Sequence, residues 1–272
     1  MNLGLMAQVA CILEVTARKP GNVHRLADFP GDAHYLDFLL SAAAIAGPID
    51  RARDLGVGPT VHAAVEATRR VVSTNTNLGI ILLVTPLACV PDGVPLREGI
   101  GDVLGRLTID DARDVYRAIR LARPGGIGSV GEQDISDEPT VTLLEAMRLA
   151  ADRDLVARQY ATNYRDVLNI EFFNSTSLEI AIIRAFVTTL AAIPDTLIAR
   201  KRGTDVAKEA SRRASEALIS GDFASLDTWL RADGHARNPG ATADLVAAAL
   251  FAALRDGTIA LPRPAGGLSG TW

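Results

Sequence analysis

The chain has few cysteines, few aromatic residues and no marked excess of either charge. Its two cysteines, Cys11 and Cys89, cannot form a disulfide framework or a metal-binding cysteine pattern, so we expect a reducing, cytoplasmic compartment. Aromatic residues make up only 5% of the 272 residues, which disfavours a sandwich of aromatic-rich strands. The net charge of −4 comes from well-mixed signs without a basic stripe. Nucleic acid is therefore not the expected partner.

The chain also lacks a long, purely apolar run. Residues 71–91 carry no charge, but this stretch begins with the polar STNTN, and Pro86 interrupts its apolar part. The continuous apolar segment is shorter than the roughly 20 residues that a membrane span needs. The N-terminal MNLGLMAQ has no basic leader, so we expect no secretion signal, no membrane partner and a buried helix at residues 80–90.

Alanine, leucine, isoleucine and valine, arranged with helical spacing, dominate what remains. Apolar residues make up 48% of the chain, and we find no period-2 pattern, repeat or low-complexity linker. Besides an N-terminal helix, the predicted helices are Tyr35–Ala46, Thr60–Val72, Ile109–Ala122, Thr140–Asp152, Ser175–Ile193, Thr204–Ile219 and Asn238–Leu254. The sequence thus predicts an all-α fold: a single domain over residues 1–272, built as a multi-helix bundle with a polar pocket between helices.

One short motif points away from this fold and is set aside. The segment Gly126-Ile-Gly128-Ser-Val-Gly131 matches the dinucleotide fingerprint GxGxxG. That fingerprint functions at a turn from a strand into a helix, where backbone amides meet a pyrophosphate. Here it follows a predicted helix and runs into EQDISDEP, so we interpret it as a loop.

The first of four polar segments is EVTARKPGNVHR, which begins at Glu14. Glu14 follows Leu3, Ala7 and Ala10 at helical spacing, so its carboxylate belongs on or beside a buried face. A buried carboxylate must be paired, bound to a metal or protonated. A salt bridge to Lys19 or Arg18 is the structural explanation, and a binding site is the functional one.

Two further segments combine polar groups with a predicted helix start. STNTNLG, which ends at Gly79, can cap the helix that follows or hold an anion with its free amides. PDTLIARKRG places Asp195 at a helix start and Arg200, Lys201 and Arg202 near its end, which complements the helix dipole. The functional alternative is a metal-binding carboxylate and a cationic clamp for phosphates.

The fourth segment is NPGATADLVAAALF, which begins at Asn238. Asn238 can cap the helix, and Pro239 is favourable at its first position. Asp244 is the only charge before Arg255 in a helix that is apolar nearly all round, and such an acid is costly unless a cation meets it. The four segments together suit a magnesium–polyphosphate ligand held between helices.

The order of these motifs resembles the triphosphoribosyl-dephospho-CoA synthase family. KPGNVHR, NTNLG, PDTLIARKRG and NPGATADL carry the resemblance, which extends from about Glu14 to Arg255. It implies an all-helical transferase of coenzyme biosynthesis that moves the triphosphoribosyl group of ATP to the 2′-hydroxyl of dephospho-CoA and releases adenine. ATP is then the substrate, and Mg²⁺ is the expected cofactor.

The resemblance also implies the site residues. Cleavage of the bond from ribose to adenine develops positive charge that a carboxylate can stabilise, and an acid can protonate the leaving base. The implied catalytic and metal-binding residues are Glu14, Asp195 and Asp244. The implied nucleotide-binding residues are Lys19, Asn22, His24, Arg25, Asn77, Gly79, Arg200, Lys201 and Asn238.

The chain departs from the family's usual motifs at several positions. Asn22 and His24 replace a leucine and an acid, and Leu78 stands where a lysine is usual. The family's G-A-H-x-D-M is matched loosely by GDAHYLDF, in which Asp32, His34 or Asp37 could serve. These departures leave open a transferase that uses an acceptor other than dephospho-CoA. The other alternative functions are a magnesium-dependent nucleotide pyrophosphohydrolase, a one-carbon pterin cofactor biosynthesis enzyme and a non-catalytic helical ligand-binding protein. We expect a small-molecule nucleotide as partner and allow for a homodimer.

Overall fold

The protein folds into a bundle of helices. The computed structural model describes residues 1–29, 31, 33–123, 135–172 and 177–259. Within these ranges it contains fourteen α-helices, one 3-10 turn and no β-sheet, which confirms the all-α prediction. Gly126–Gly131, predicted to be a loop, and Asp32 lie outside the described residues.

The helices are numbered in chain order, and their bounds follow. They are α1 (Leu3–Thr16), α2 (Tyr35–Asp50), α3 (Ala52–Leu55), α4 (Val57–Arg69), α5 (Leu78–Cys89), α6 (Leu96–Gly105), α7 (Ile109–Ala122), α8 (Leu143–Ala150), α9 (Leu155–Ala161), α10 (Leu178–Ala192), α11 (Thr196–Arg202), α12 (Thr204–Ser220), α13 (Phe223–Arg231) and α14 (Gly240–Arg255). The 3-10 turn Val167–Asn169 lies between α9 and α10. The sequence predicted the bounds of α7 correctly, whereas short helices such as α6, α9 and α13 were not predicted because each spans too few turns for a clear apolar pattern.

Two apolar helices, α5 and α14, form the centre of the bundle. Nearly every side chain of both is buried, as expected for helices that are apolar all round. Small residues allow close packing elsewhere. A Cβ added to Gly4 of α1 would come 2.1 Å from the carbonyl oxygen of Ala46 on α2, so these two helices touch backbone to backbone at this point.

Pro86 does not end α5, although the sequence suggested an interruption there. Proline has no N–H, so the carbonyl of Leu82, one turn earlier, loses its usual helical partner. The hydroxyl of Tyr160 donates to Leu82 O at 2.6 Å, and the hydroxyl of Tyr164 lies 3.5 Å from the same oxygen. Both tyrosines are buried. The helix continues because its neighbours supply the missing donor.

The start of α14 also differs from the prediction. The helix begins at Gly240, Pro239 is its N-cap, and no side chain caps it. Asn238 was predicted to be the cap, but its carboxamide is engaged with Asn22 and His235 instead. A residue that we assigned to helix capping therefore belongs to a polar chain between segments that are distant in sequence.

No single helix in the described ranges is both long enough and apolar enough to cross a membrane. Helices α10 and α11 meet at a bend of 56°, and only together do they reach the length and apolar content of a membrane span.

Candidate active site

A cavity of about 850 Å³ opens among α1, α5, α7, α8, α11 and α14. One side carries the acids and amides of the predicted segments. The other side is apolar and comes mainly from α7 and α8. The residues that line the cavity include Glu14, Asn22, Arg69, Asn75, Asn77, Gly79, Val115, Ile119, Arg123, Leu143, Met147, Arg153, Asp154, Arg200, Lys201, His235, Asn238 and Asp244.

Glu14 reaches the cavity from the end of α1 and is held by Lys19. The Lys19 ammonium lies 3.0 Å from Glu14 Oε1, donates to the Glu14 carbonyl, and lies 3.3 Å from Ala17 O and 3.5 Å from Val23 O. Both side chains are buried. The ion pair is close, but Oε1 accepts no well-directed hydrogen bond. Burial raises the pKa of Glu14, and the charge of Lys19 opposes that rise.

Asp244 reaches the cavity from α14 and lies directly over the first turn of α5. A Cβ added to Gly79 would come 2.1 Å from Asp244 Oδ2, so any larger residue would displace this carboxyl group. Asp244 has no hydrogen-bond or ion-pair partner in the described part of the chain. Burial raises its pKa well above the usual value, the charges of Glu14, Asp195 and Asp154 add to the rise, and Arg200 opposes it.

Asp195 does not line the cavity, and its carboxylate has a structural role. Oδ1 accepts from the amides of Leu197 (2.8 Å) and Ile198 (3.1 Å) and caps α11. Oδ2 accepts from the amide (2.7 Å) and the hydroxyl (2.8 Å) of Thr242 on α14. With all four donors in place, neither oxygen is directed at a ligand. The predicted structural role of Asp195, as an acid at a helix start, therefore explains its geometry better than the predicted metal-binding or catalytic role.

The predicted acids converge without forming a metal cage. The charges of Glu14 and Asp195 both raise the pKa of Asp244, which places the three acids in one region of the molecule. Over the ranges that the structure describes, however, no group of three His, Cys, Asp or Glu side chains is arranged to hold a metal ion. The predicted trio is thus not a preformed site.

Three predicted nucleotide-binding residues lie outside the cavity lining. Lys19 is enclosed with Glu14. Arg25 forms an ion pair with Glu179 at 2.7 and 3.0 Å. His24 is buried, and burial together with the nearby Arg231 lowers its pKa to about 4. The loop after α1 packs against α10 and α13. The side chains of Lys19, His24 and Arg25 therefore make contacts that hold this loop in place, instead of the predicted contacts with nucleotide.

The family segment around residue 34 contributes Ala33 and Phe38 to the cavity lining, but none of its described polar residues. His34 pairs with Asp28 at 3.4 Å, and neither His34 nor Asp37 is among the lining residues.

The cavity cations come from several helices. Arg200 pairs with Asp154 at 3.4 Å, and Lys201 donates to the carbonyl of His235 at 3.3 Å. Arg200 and Lys201 were both predicted from the sequence. The lining also contains Arg69, Arg123 and Arg153, which were not. These three arginines sit near helix ends, where a basic residue is common, so a single sequence carries no signal that would distinguish them.

Residues 73–79 form a polar rim at the start of α5. Asn77 donates to the Thr68 hydroxyl at 3.2 Å and lies 3.5 Å from Ser41 O. Asn75 accepts from the amide of Leu78 at 3.2 Å. The next two amides, of Gly79 and Ile80, have no acceptor within the ranges described. A helix start with unpaired amides attracts anions.

Comparison with known proteins identifies the family of this chain. A profile of the family described as ATP:dephospho-CoA triphosphoribosyl transferase matches residues 1–262. The chain belongs to this family. Among solved structures, the ATP:dephospho-CoA triphosphoribosyl transferase fold recurs in a proposed triphosphoribosyl-dephospho-CoA synthase from Archaeoglobus fulgidus. That chain is 27% identical with a TM-score of 0.67, and the match covers 80% of this chain and 99% of the other. A search of curated proteins gives no significant match.

Family membership confirms the resemblance and the predicted enzyme class. ATP:dephospho-CoA triphosphoribosyl transferases are transferases of coenzyme biosynthesis, and ATP is the substrate of the family. The hydrolase, pterin-cofactor and non-catalytic alternatives receive no support from these comparisons.

Proposed function

We propose that the protein transfers the triphosphoribosyl group of ATP to a hydroxyl of dephospho-CoA in this cavity and releases adenine. Its volume of about 850 Å³ lies within the range typical of small-molecule sites. The observation that carries the proposal is the pair of cavity carboxyl groups, Glu14 and Asp244, in contrasting environments. Enzymes that cleave a glycosidic bond commonly use two such groups with different protonation states.

The environments of the two acids separate their pKa values. Lys19 holds a positive charge 3.0 Å from Glu14, whereas Asp244 has no cation partner in the described chain and is exposed to the charge of Glu14. Glu14 therefore stays ionised while Asp244 keeps its proton, a division of roles common in acid–base sites. Asp244 donates its proton to the departing adenine, and Glu14 stabilises the positive charge on the ribose. The Asp244 carboxylate then accepts the proton of the acceptor hydroxyl.

The triphosphate is assigned to the cations and amides of the cavity. Arg69, Arg153, Arg200 and Lys201 line it, and the free amides at the start of α5 add two donors. Charge-assisted hydrogen bonds from such groups hold phosphate oxygens firmly. The triphosphate must stay attached to the ribose, so these groups orient the donor without attacking its phosphates.

Magnesium fits as an ion that arrives with the triphosphate. Mg²⁺ usually takes one or two protein carboxylates and completes its shell with phosphate oxygens and water. Glu14 lines the cavity, and its carboxylate would act as such a ligand beside Lys19, whereas the oxygens of Asp195 are occupied. When bound, the ion would neutralise phosphate charge. In this chain Glu14 would hold it.

The apolar side of the cavity is assigned to the acceptor. Val115, Ile119, Leu143 and Met147 line this side and suit the flexible arm of dephospho-CoA. Burial of that arm would place the acceptor's ribose hydroxyl toward the polar side. We also propose a cytoplasmic location and a homodimer, which fractionation and light scattering can test.

The proposal is tested by the products of the reaction. Wild-type protein is incubated with ATP, Mg²⁺ and dephospho-CoA, and adenine release and product mass are measured. We expect Asp244→Asn to reduce adenine release by about 10²- to 10⁴-fold, the usual contribution of a general acid or base. Asp205→Asn, at an exposed site in the first turn of α12, is the matched control and keeps wild-type activity. Formation of ADP or AMP without free adenine would refute the proposal.

A further inference from the structure

Three polar side chains from two segments form a hydrogen-bonded chain along the cavity. Asn22 Nδ2 donates to Asn238 Oδ1 at 2.7 Å, and Asn238 Nδ2 donates to His235 Nε2 at 2.6 Å. All three residues line the cavity, and Asn22 and Asn238 are each about 5% exposed. The described functions of the acids and cations do not use this chain.

The chain of donors fixes which way the Asn22 carboxamide points. In the tautomer with His235 Nε2 unprotonated, Nε2 accepts from Asn238 Nδ2, so Asn238 turns its Oδ1 toward Asn22 and Asn22 presents its Nδ2 there. Asn22 Oδ1 has no donor within the described ranges, and Nδ2 keeps a second hydrogen. The side chain therefore offers one acceptor and one donor, side by side, to a ligand.

The backbone around Asn22 is rigidly anchored, which gives this pair of groups a fixed position. Arg231 donates to Asn22 O at 2.5 Å and to Asp227 Oδ1 at 2.8 Å, and the same Asp227 oxygen accepts from the amide of Gly21 at 2.7 Å. Gly21 has φ +69°, and an added Cβ would come 2.4 Å from the Leu230 Cβ. Only glycine fits this turn, so Asn22 is held in place before a ligand binds.

The far end of the chain is also held by packing. The ring of His235 lies 4.7 Å from the ring of Phe29. The Arg231 guanidinium lies 4.9 Å from the centre of the same Phe29 ring. Arg231 thus supports both the backbone of Asn22 and the stack beneath His235. A preorganised donor–acceptor pair discriminates between ligands better than a mobile one does.

A donor beside an acceptor is the complement of the Watson–Crick edge of adenine. Adenine presents an amine hydrogen at position 6 and an acceptor at N1, whereas a 6-oxopurine presents an acceptor at position 6 and a hydrogen at N1. Bases held in protein pockets are commonly read along this edge. We infer that Asn22 selects the donor nucleotide: its Oδ1 accepts from the 6-amino group, and its Nδ2 donates to N1. This inference rests on the proposed function, in which the nucleotide enters this cavity.

The test compares ATP with ITP, whose hypoxanthine reverses both groups. We measure kcat/KM for release of adenine and of hypoxanthine with wild type, Asn22→Asp and Asn22→Leu. Wild type should prefer ATP by about 10- to 100-fold, the usual worth of a paired base contact. Asn22→Asp should lower the ATP/ITP ratio by about tenfold or more, because a carboxylate accepts from N1–H of hypoxanthine and cannot donate to N1 of adenine. Asn22→Leu should bring the ratio close to one.

Asn169→Asp is the matched control, because Asn169 is exposed and bonds to Arg97 away from the cavity. It should keep the wild-type ratio. Calorimetric affinities for ADP and IDP provide a second readout that does not require turnover. Equal losses with both nucleotides in the two Asn22 variants, or no wild-type preference for adenine, would overturn the inference. If wild type releases no adenine, the proposed function fails, and the ADP/IDP affinity ratio still decides the role of Asn22.

Discussion

Replacing Lys19 by methionine should destabilise the protein strongly, although the substitution adds no bulk. The Lys19 ammonium is fully buried and satisfies Glu14 and the carbonyl groups around it. Methionine keeps the apolar stem but leaves the Glu14 carboxylate without its counter-charge. We expect a loss of about 3–5 kcal/mol in the free energy of unfolding, the usual cost of breaking a buried ion pair from one side.

That loss should depend on pH. Without Lys19, the pKa of Glu14 in the folded protein rises further above its value in the unfolded chain. A carboxyl group whose folded pKa is raised destabilises the fold above that pKa, and the penalty disappears below the unfolded pKa. The difference between wild type and Lys19→Met should therefore be largest near pH 8 and shrink toward pH 5. Urea denaturation followed by circular dichroism at each pH measures it.

The double variant Glu14→Gln/Lys19→Met is the decisive comparison. It removes both charges, so most of the stability lost in Lys19→Met should return. The double variant should release no adenine, because the carboxylate proposed to stabilise the charge on the ribose is gone. A double variant no more stable than Lys19→Met, or a Lys19→Met variant as stable as wild type at pH 8, would refute the ion-pair reasoning. A folded double variant with full activity would remove Glu14 from the mechanism.

Three further outcomes follow from the site and its supports. Gly79→Ala should reduce kcat by at least about tenfold, because its Cβ would displace the Asp244 carboxyl group, which lies 2.1 Å from that position; unchanged kcat contradicts this. Adenine release should fall as pH rises through the raised pKa of Asp244, because the protonated form is the donor, and a rate that only increases with pH would exclude this role. Tyr160→Phe should cost about 1–3 kcal/mol in urea denaturation, because the carbonyl of Leu82 loses its 2.6 Å donor; an unchanged midpoint would show that Tyr164 suffices.

The sequence predicted the helical class and many of the polar residues that line the cavity. Long apolar helices such as α5 and α14 are visible in one dimension because their periodicity extends over several turns. Glu14 and Asp244 were identifiable as cavity residues because each is an isolated acid in an apolar helix, where a charge is unfavourable without a purpose. Asp195 was selected on different grounds, as an acid at a helix start within a family motif, and it is bonded to four donors.

The sequence by itself determined that carboxylates and cations would be brought together within an alanine-rich bundle, because composition and periodicity specify which faces of each helix are buried. Only the tertiary structure decided which polar groups remain available to a ligand. That outcome depends on partners far apart in the chain: Thr242 occupies Asp195, and Gly79 leaves room for an Asp244 without a partner in the described chain. Hydrogen bonds are short-ranged and directional, so their pairing is fixed when the helices pack and not before.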